Sequence, residues 1–291
     1  MTYKPTGSFK QFLDAGKSVT RVISSVERHV LAKPRGLDGR RTNVLHPSEM
    51  VDPNWCHRAS YFHLLGEEPV SRNFSFKLLS VFEEGHSIHD KWQTWFKEMG
   101  NLWGKWEFLE SGELFWGRPE DHPHKVEGVG LEGYKYREIP LDYPELRIAG
   151  HADGLLLDFG DPLMLEIKSI GAGTLRYEAA ELFKENNYDF DKTWKQIDKP
   201  FMKHITQVQI YMKLAELLKL EYTPQEAVLI YESKATQDVK EFIVPKSDFS
   251  IAHIFEAAEK IVDAVEARIP LECNIAKGGC SRCKGYINES N

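Results

Sequence analysis

The sequence lacks long apolar runs, low-complexity tracts and internal repeats. A membrane-spanning helix requires about 20 consecutive apolar residues, and the longest apolar runs here are only a few residues. No period of solenoid length is present. The N-terminal segment MTYKPTGSFKQFLDAGKSV has no apolar core of a secretion signal, so we expect a cytoplasmic protein without membrane contact.

The charge balance is acidic, with a formal net charge of −7 over 291 residues. This argues against a protein that coats nucleic acid through a general positive surface. It does not exclude an enzyme that acts on nucleic acid, because basic contacts can be local and acidic residues can bind metal. The hydrophobic fraction of 42% and the charged fraction of 28% are those of an ordinary globular protein with one large domain or two modest ones.

Hydrophobic periodicity predicts a mixed α/β domain. The predicted helices cover residues 77–100, 173–186, 200–220 and 249–268, and the predicted strands cover residues 134–140, 146–159, 162–170, 226–233 and 239–244. A capping signal at Ser48 predicts a further short helix that ends near Gly66. Residues 101–133 are rich in Trp and Gly and predict a hairpin insertion. We expect a mainly antiparallel central hairpin with helices around it.

Three charged residues stand among apolar ones in GHADGLLLDFGDPLMLEIKS, residues 150–169: Asp153, Glu166 and Lys168. An unpaired charge inside an apolar strand costs several kcal/mol or shifts its pKa. The chain must therefore hold these three side chains in a way that compensates their charges.

The turn between the two apolar runs predicts how these side chains meet. Gly160-Asp161 is a two-residue turn signal, which pairs Phe159 with Pro162. Asp153 is then directly opposite Lys168, Glu166 is its diagonal neighbour, and all three share one face of the sheet. Diagonal neighbours lie roughly 7 Å apart at Cα, so the two carboxylates can share one cation.

A divalent cation between Asp153 and Glu166 would offset their repulsion. Such an ion lowers the pKa of bound water and binds phosphate oxygens, and Lys168 beside it could neutralise charge that develops on a phosphate. The alternative is a cross-strand pair of Asp153 and Lys168 on an exposed face, with Glu166 uninvolved. The Glu-x-Lys triplet alone favours that alternative.

The four cysteines are clustered: Cys56 stands alone, and Cys273, Cys280 and Cys283 fall in CNIAKGGCSRCKGY near the end of the sequence. Two disulfides are arithmetically allowed, but clustered cysteines in a cytosolic chain more often bind a metal. Four thiolates suit either tetrahedral zinc or an iron–sulfur cluster. One such site would join the two ends of the core and close a long loop.

Asp153 followed by Glu166-Ile167-Lys168 on a hairpin resembles the signature of the PD-(D/E)XK nuclease superfamily. Two further motifs resemble its RecB-like branch: a Gly followed four residues later by a His, in EEGHSIHDKWQ, and the Gln-x-x-x-Tyr helix in HITQVQIYMKLAELL. The cysteine layout resembles the iron–sulfur exonucleases of the AddB and CRISPR-associated RecB-like type. The resemblance covers residues 48–286. The Gly-His-Ala-Asp before the hairpin departs from the nominal Pro-Asp.

The resemblance implies a restriction-endonuclease-like core, a central mixed sheet flanked by helices, with N- and C-terminal segments joined at the cysteine site. It implies a deoxyribonuclease that uses Mg²⁺ or Mn²⁺ and acts on DNA with single strands or free ends. The implied metal ligands are His89, Asp153, Glu166 and the carbonyl of Ile167, with Lys168 assisting.

Further residues are assigned by the same resemblance. Gln207 and Tyr211 would border the active site and hold the nucleic-acid backbone or orient Lys168 or Glu166. His204 is placed at the same rim. The cysteines Cys56, Cys273, Cys280 and Cys283 would hold a structural 4Fe-4S cluster, with zinc as the alternative.

Several of these residues have a purely structural interpretation. His89 shares a helix face with Trp92 and Phe96 and could be a buried histidine, whereas His86 misses the motif spacing. Gln207 and Tyr211 alone resemble a surface amide and a core aromatic. Base stacking by Trp92, Trp103 and Trp106 is a weak expectation, because tryptophans more often lie in the core. His122 and His124 cannot complete a four-ligand site, so we expect a metal-free insertion.

These expectations describe one nuclease domain over residues 1–291. Its segments are 1–76 with Cys56, the histidine helix 77–100, the insertion 101–133, the catalytic core 134–245 and the cysteine tail 246–291. The competing hypothesis is a non-catalytic DNA-binding or partner-docking module of the same fold. Since no Gly-x-x-x-x-Gly-Lys-[Ser/Thr] loop is present, any helicase, recombination or CRISPR partner that uses ATP would be a separate chain.

Overall fold

The computed structural model describes residues 21–33, 41, 43–67, 75–122 and 129–286. The chain divides into two compact units. The first comprises residues 1–40 and 72–82, and the second comprises residues 41–71 and 83–291. In the first unit the structure describes helix α1, Arg21–Ala32, and the first turns of a long helix that starts at Phe76.

The remaining helices belong wholly or mainly to the second unit. They are α2 Pro47–Met50, α3 His57–Leu64, α4 Phe76–Glu98, α5 Ala172–Glu178, α6 Ala180–Glu185, α7 Phe190–Gln196, α8 Met202–Leu217, α9 Asp248–Ala267 and α10 Ser281–Lys284. None of the helices in the described residues is both long and apolar enough to cross a membrane.

Nine strands form one large sheet and one small one among the described residues. They are β1 Leu102–Phe108, β2 Glu113–Gly117, β3 Tyr134–Arg137, β4 Ile139–Tyr143, β5 Ile148–Ala152, β6 Gly154–Leu156, β7 Leu163–Ile170, β8 Glu226–Ser233 and β9 Val239–Pro245. The large sheet has the order β2-β1-β6-β7-β8-β9, with β3 also paired to β1, and β4 pairs with β5.

The large sheet is mixed, as the sequence predicted. Strands β7 and β8 run parallel, whereas β6–β7, β8–β9 and β1–β2 are antiparallel. The parallel pair arises because the chain leaves β7, passes through α5 to α8, and returns as β8 in the same direction. The mixed α/β fold class with helices around a central sheet is confirmed.

Alternate residues of β7 face two different apolar clusters. Met164 and Ile170 belong to a cluster that contains buried residues of α8 and α9. Leu165 and Ile167 belong to a second cluster with Ile88 of α4 and residues of β1. The strand is therefore covered on both faces, so Glu166 and Lys168 lie on the face that α8 covers.

Most elements lie near their predicted positions, but the helix predicted from Ser48 to Gly66 is two helices, α2 and α3, and Ser48 lies inside α2. The predicted helix 173–186 is likewise divided into α5 and α6, and the predicted strand 146–159 into β5 and β6. Strand β8 has the predicted bounds, and α9 differs from its prediction by one residue at each end. Helix α7 was not predicted, although Asp189 is a capping residue whose carboxylate accepts a hydrogen bond from the amide of Lys192 at 3.0 Å. The predicted hairpin at residues 101–133 exists as β1–β2, but β1 also pairs with β6 and so is part of the central sheet.

Candidate active site

Asp153 lies in the break between β5 and β6 and is buried. Its carboxylate is held on both oxygens: Oδ1 lies 3.1 Å from Nδ1 of His89, and Oδ2 accepts a hydrogen bond from the amide of Ile167 at 2.6 Å. The carbonyl of Asp153 accepts hydrogen bonds from Nε2 of Gln93 and from the hydroxyl of Tyr136. The orientation of this acid is thus determined by α4, β3 and β7 together.

The β6–β7 register differs from the predicted one. Gly154 pairs with Leu165, so the ladder continued by one residue aligns Asp153 with Glu166 rather than with Lys168. The predicted two-residue turn is wrong, because six residues, 157–162, connect the strands. The shift is two residues, an even number, so Asp153, Glu166 and Lys168 still project to one face.

The longer turn is explained by contacts of Leu157 with Asn101, which lies 56 residues earlier in the chain. The amide of Leu157 donates to the carbonyl of Asn101, and the carbonyl of Leu157 accepts a hydrogen bond from the side-chain amide of Asn101. These contacts direct Leu157 away from β7 and toward the start of β1. Asp158 and Gly160 then take positive φ angles of 69° and 99°, which close the loop.

Glu166 and Lys168 form an ion pair within the site. Lys168 also donates to Oε1 of Gln207 at 3.2 Å, and Gln207 donates from Nε2 to the hydroxyl of Tyr211 at 2.8 Å. The Gln-x-x-x-Tyr motif of α8 therefore forms a chain of contacts that ends on the carboxylate of Glu166. The predicted contact of Gln207 with Lys168 is therefore present, and its predicted contact with the nucleic-acid backbone stays a prediction.

The pKa values of this pair follow from burial and mutual attraction. Burial raises the pKa of Glu166 to about 7, against the opposing effect of Lys168. Burial acts to lower the pKa of Lys168, but the carboxylates of Glu166 and Asp153 outweigh it and raise that pKa. Lys168 thus carries its positive charge at neutral pH.

His89 is half-buried on α4, one helical turn after Gly85. A Cβ atom on Gly85 would lie 3.3 Å from Oγ of Ser169, closer than most such contacts, so the glycine allows α4 to approach β7. Burial acts to lower the pKa of His89, but the carboxylate of Asp153 outweighs it and raises the pKa. His86 is exposed.

One acid of the site was missed by sequence reasoning. Glu138, between β3 and β4, offers a carboxylate oxygen in a group with one atom each of His89 and Asp153, and these atoms all lie within 4.8 Å of one another. No signal in the sequence points to it, because the predicted strand 134–140, YKYREIP, carries Lys135 and Arg137 as well and so does not set Glu138 apart. One histidine nitrogen and two carboxylates are a donor set that fits Mg²⁺ or Mn²⁺.

His204 lies beside this group on α8 and is buried. Its Nδ1 lies 2.6 Å from the hydroxyl of Tyr231, and that hydroxyl accepts a hydrogen bond from the amide of Phe201. Burial lowers the pKa of His204 to about 2, with Lys168 as a further cause. The imidazole is therefore neutral, and it is a packing and hydrogen-bonding residue of the site wall.

The three tryptophans that were candidates for base stacking have other environments. Trp103 and Trp106 are buried, so the stacking expectation is wrong for both. Trp92 is half-buried and donates from Nε1 to Glu232 at 2.6 Å. In the predicted insertion, His122 packs among aromatic rings of β1, β2 and β3, and His124 lies outside the described residues.

The four cysteines converge at a second site. One sulfur from each of Cys56, Cys273, Cys280 and Cys283 lies within 4.8 Å of the others, and none is in a disulfide. The pKa of Cys273 is lowered to about 6, first because its sulfur accepts a hydrogen bond from the amide of Ala276. Burial, by contrast, raises the pKa of Cys56 to about 12 and also raises that of Cys283, so a bound cation would be needed to hold all four sulfurs as thiolates.

Two side chains, Asn274 and Arg282, hold the cysteine tail against the segment around Cys56. The side chain of Asn274 accepts a hydrogen bond from the amide of His57 and donates one to the carbonyl of Trp55, each at 2.9 Å. Arg282 donates to the carboxylate of Asp52 at 2.6 Å. The predicted joining of N- and C-terminal segments at the cysteines is confirmed.

The thiol arrangement fits a metal site of either predicted kind. The Sγ atoms of Cys56 and Cys273 lie 3.8 Å apart. In a tetrahedral zinc site with Zn–S bonds of about 2.3 Å, neighbouring sulfur atoms are also about 3.8 Å apart. A four-iron cluster also takes four cysteine thiolates, but its iron and sulfide atoms would hold them farther apart. Four thiolates can therefore bind either zinc or a four-iron cluster, and the short distance between the sulfur atoms favours a single zinc ion.

No protein-family model matches the sequence, and no curated protein matches it significantly. Among solved structures, the chain is similar to the alkaline exonuclease LHK-Exo from Laribacter hongkongensis, at 14% identity and a TM-score of 0.41, over 78% of this chain and 90% of that chain. LHK-Exo in complex with dAMP gives a TM-score of 0.44 at the same identity and coverage. The protein SSO0001 gives 0.37 at 13% identity, over 84% of this chain and 88% of that chain. Similarities this weak carry no conclusion about function.

Proposed function

We propose that the protein is a metal-dependent nuclease that hydrolyses phosphodiester bonds in DNA. The observation that supports it most is the meeting of His89, Asp153, Glu166 and Lys168 from α4, the β5–β6 break and β7. Residues of these types in one buried group suit phosphodiester hydrolysis, because they can bind a divalent cation and place a lysine beside it.

His89, Asp153 and Glu166, with the carbonyl of Ile167, would hold Mg²⁺ or Mn²⁺. Such a cation, when bound, would offset the carboxylate charges and polarise a phosphate oxygen. Lys168, charged at neutral pH, would stabilise negative charge that grows on the phosphate. Gln207 would keep the ammonium group of Lys168 in place, and Tyr211 would keep Gln207 in place.

Single-stranded DNA ends are the substrate that the RecB-like resemblance supports. The same resemblance supports a structural 4Fe-4S cluster at the four cysteines, whereas the sulfur spacing supports zinc. In either case the metal would join the tail to the start of α3, where Cys56 caps the helix by accepting a hydrogen bond from the amide of Ala59. Its role would be to stabilise the fold rather than to take part in hydrolysis.

The test is degradation of 5′- and 3′-end-labelled single-stranded DNA by the purified protein with Mn²⁺. The variants Glu166→Ala and Lys168→Ala should lose activity, and the matched variants of exposed residues, Glu145→Ala and Lys135→Ala, should keep it. Equal degradation by the wild type and both site variants would contradict the site assignment. A wild-type protein that binds the DNA but leaves it intact would favour the non-catalytic binding module.

A further inference from the structure

Asp153 is the meeting point of two strand ladders. The last pair of β4 and β5 joins Ile139 to Ala152, so the ladder continued by one residue aligns Glu138 with Asp153. The first pair of β6 and β7, continued in the same way, aligns Asp153 with Glu166. Residues directly opposite each other on neighbouring strands have their side chains on the same face. Extended in this way, the two ladders give a row of three acids across the strands, with Asp153 in the middle at the bend that separates β5 from β6.

The two outer acids of this row have different environments. Glu166 is buried and paired with Lys168. The side chain of Glu138 reaches solvent, yet burial of its carboxylate and the nearby charge of Asp153 raise its pKa to about 7, and among the described residues no lysine or arginine forms an ion pair with it. It is Glu138, not Glu166, that groups with His89 and Asp153 at ligand spacing.

The position of Glu138 is set by its neighbours in the chain. Arg137 donates to the carboxylate of Glu107 on β1, and Ile139 is completely buried. With both flanking residues anchored, the backbone at Glu138 has little freedom to carry its carboxylate away from Asp153. Gln93 of α4 interacts with Glu138 and also donates to the carbonyl of Asp153.

We propose that Glu138 is a further ligand of the divalent cation in this site, in addition to the residues of the hairpin and histidine motifs. Glu138 and Asp153 place two carboxyl groups beside one imidazole, and a divalent cation would offset their repulsion and keep both ionised. This inference rests on the proposed nuclease function for the identity of the site. It adds a residue that none of the sequence motifs contains.

The test is Mn²⁺ binding to the full chain, measured by electron paramagnetic resonance of free Mn²⁺ and by calorimetry, without DNA. Glu138→Gln keeps the shape of the side chain and removes its charge, and it should weaken binding by at least about tenfold. Glu138→Asp should keep part of the affinity for Mn²⁺, and Asp153→Asn should lose binding. The control is Glu145→Gln, which makes the same change at an exposed residue and should bind Mn²⁺ like the wild type. Circular dichroism of each variant verifies that it is folded.

The outcomes separate this inference from the proposed function. If Glu138→Gln binds Mn²⁺ as tightly as the wild type, and Asp153→Asn loses Mn²⁺ binding, Glu138 is not a ligand. The nuclease proposal would be unaffected by that result. If Glu138→Gln binds Mn²⁺ more weakly than the wild type, and the wild type degrades no DNA, the metal site is supported and the nuclease proposal is contradicted. A wild type that binds no Mn²⁺ would overturn both.

Discussion

Lys168 donates a hydrogen bond from Nζ to Oε1 of Gln207 across 3.2 Å, and the same ammonium group is paired with Glu166. The contact links the hairpin to α8 and so couples two motifs that lie far apart in the sequence. Lys168 therefore has a hydrogen-bonding partner on each of two sides, and these partners restrict where its ammonium group can lie.

Replacing Gln207 with Leu should slow DNA hydrolysis more than it weakens DNA binding. A hydrogen bond to a charged group contributes about 1.5–3 kcal/mol, which corresponds to about a 10- to 100-fold decrease in the single-turnover rate. The measurement is that rate at saturating Mn²⁺, with Gln225→Leu as the control because Gln225 is exposed. An unchanged rate would mean that Lys168 needs no support from α8.

Mn²⁺ affinity should increase with pH between about pH 6 and 8. A cation must displace the proton of His89, whose pKa is raised by Asp153, and any proton on Glu166 or Glu138, whose pKa values are each raised to about 7 mainly by burial. Affinity should rise by up to about tenfold per pH unit for each proton displaced. Calorimetry in buffers of different ionisation enthalpy measures the proton release directly.

The metal-free protein should show the opposite trend over the same range. A histidine whose folded pKa is raised contributes stability below its unfolded pKa and loses it as pH rises through the folded value. A carboxyl group with a raised pKa also destabilises the folded state as it ionises. The His89→Gln variant should therefore show a smaller fall in unfolding free energy from pH 6 to 8 than the wild type, and equal slopes would contradict the His89–Asp153 pairing.

Glu232→Ala should destabilise the protein by about 2–3 kcal/mol. Glu232 is buried and accepts hydrogen bonds from Nζ of Lys91 at 2.5 Å and from Nε1 of Trp92 at 2.6 Å. Breaking a buried pair costs about 3–5 kcal/mol, and the partial exposure of Lys91 reduces that cost. Urea unfolding measures the change, and Glu241→Ala, at an exposed position of β9, should stay within about 0.5 kcal/mol of the wild type.

Gly85→Ala should destabilise the protein although alanine is the better helix former. The added Cβ meets Oγ of Ser169 at 3.3 Å, and the resulting strain should exceed the ~1 kcal/mol that alanine contributes to a helix. Ser169→Ala removes the contacted oxygen, so the double variant should recover the loss. Additive effects in this double-mutant cycle would exclude the steric explanation.

Metal content should decide the cofactor of the cysteine site. Protein purified without oxygen should contain either about four iron and four sulfide per chain or one zinc, and Cys283→Ser should lose the metal and lower the midpoint of thermal unfolding. Asn274→Ala should lower the midpoint less, since it removes two hydrogen bonds but no ligand. If the wild-type protein has the same midpoint of thermal unfolding with and without metal, the metal has no structural role.

Much of the site could be predicted because its residues resemble the motifs of a known nuclease superfamily. Gly85 and His89 are one helical turn apart, Gln207 and Tyr211 are one turn apart, and Glu166 and Lys168 alternate along one strand. These spacings place the members of each pair on one face of a helix or strand, but they do not assign a function by themselves. The assignment of the motif residues as ligands and catalytic groups stays a prediction.

The register of the hairpin could not be predicted from the turn signal. Gly160-Asp161 has the composition of a two-residue turn, but Leu157 forms hydrogen bonds with Asn101 instead of extending the ladder. Asn101 is distant in the sequence, and nothing local to the hairpin indicates that it competes for Leu157. A non-local hydrogen bond thus overrides a local turn preference.

The sequence by itself determined the mixed α/β fold class and the shared face of Glu166 and Lys168, which follow from hydrophobic periodicity and strand alternation over a few residues. The meeting of Cys56 with the three later cysteines was implied by the family resemblance, because no local pattern relates residues so far apart in the sequence. Only the tertiary structure decided that Glu138 stands beside Asp153 and that Trp103 and Trp106 are buried. Those relationships depend on which strands pair and in which register, and pairing is settled by contacts between distant parts of the chain.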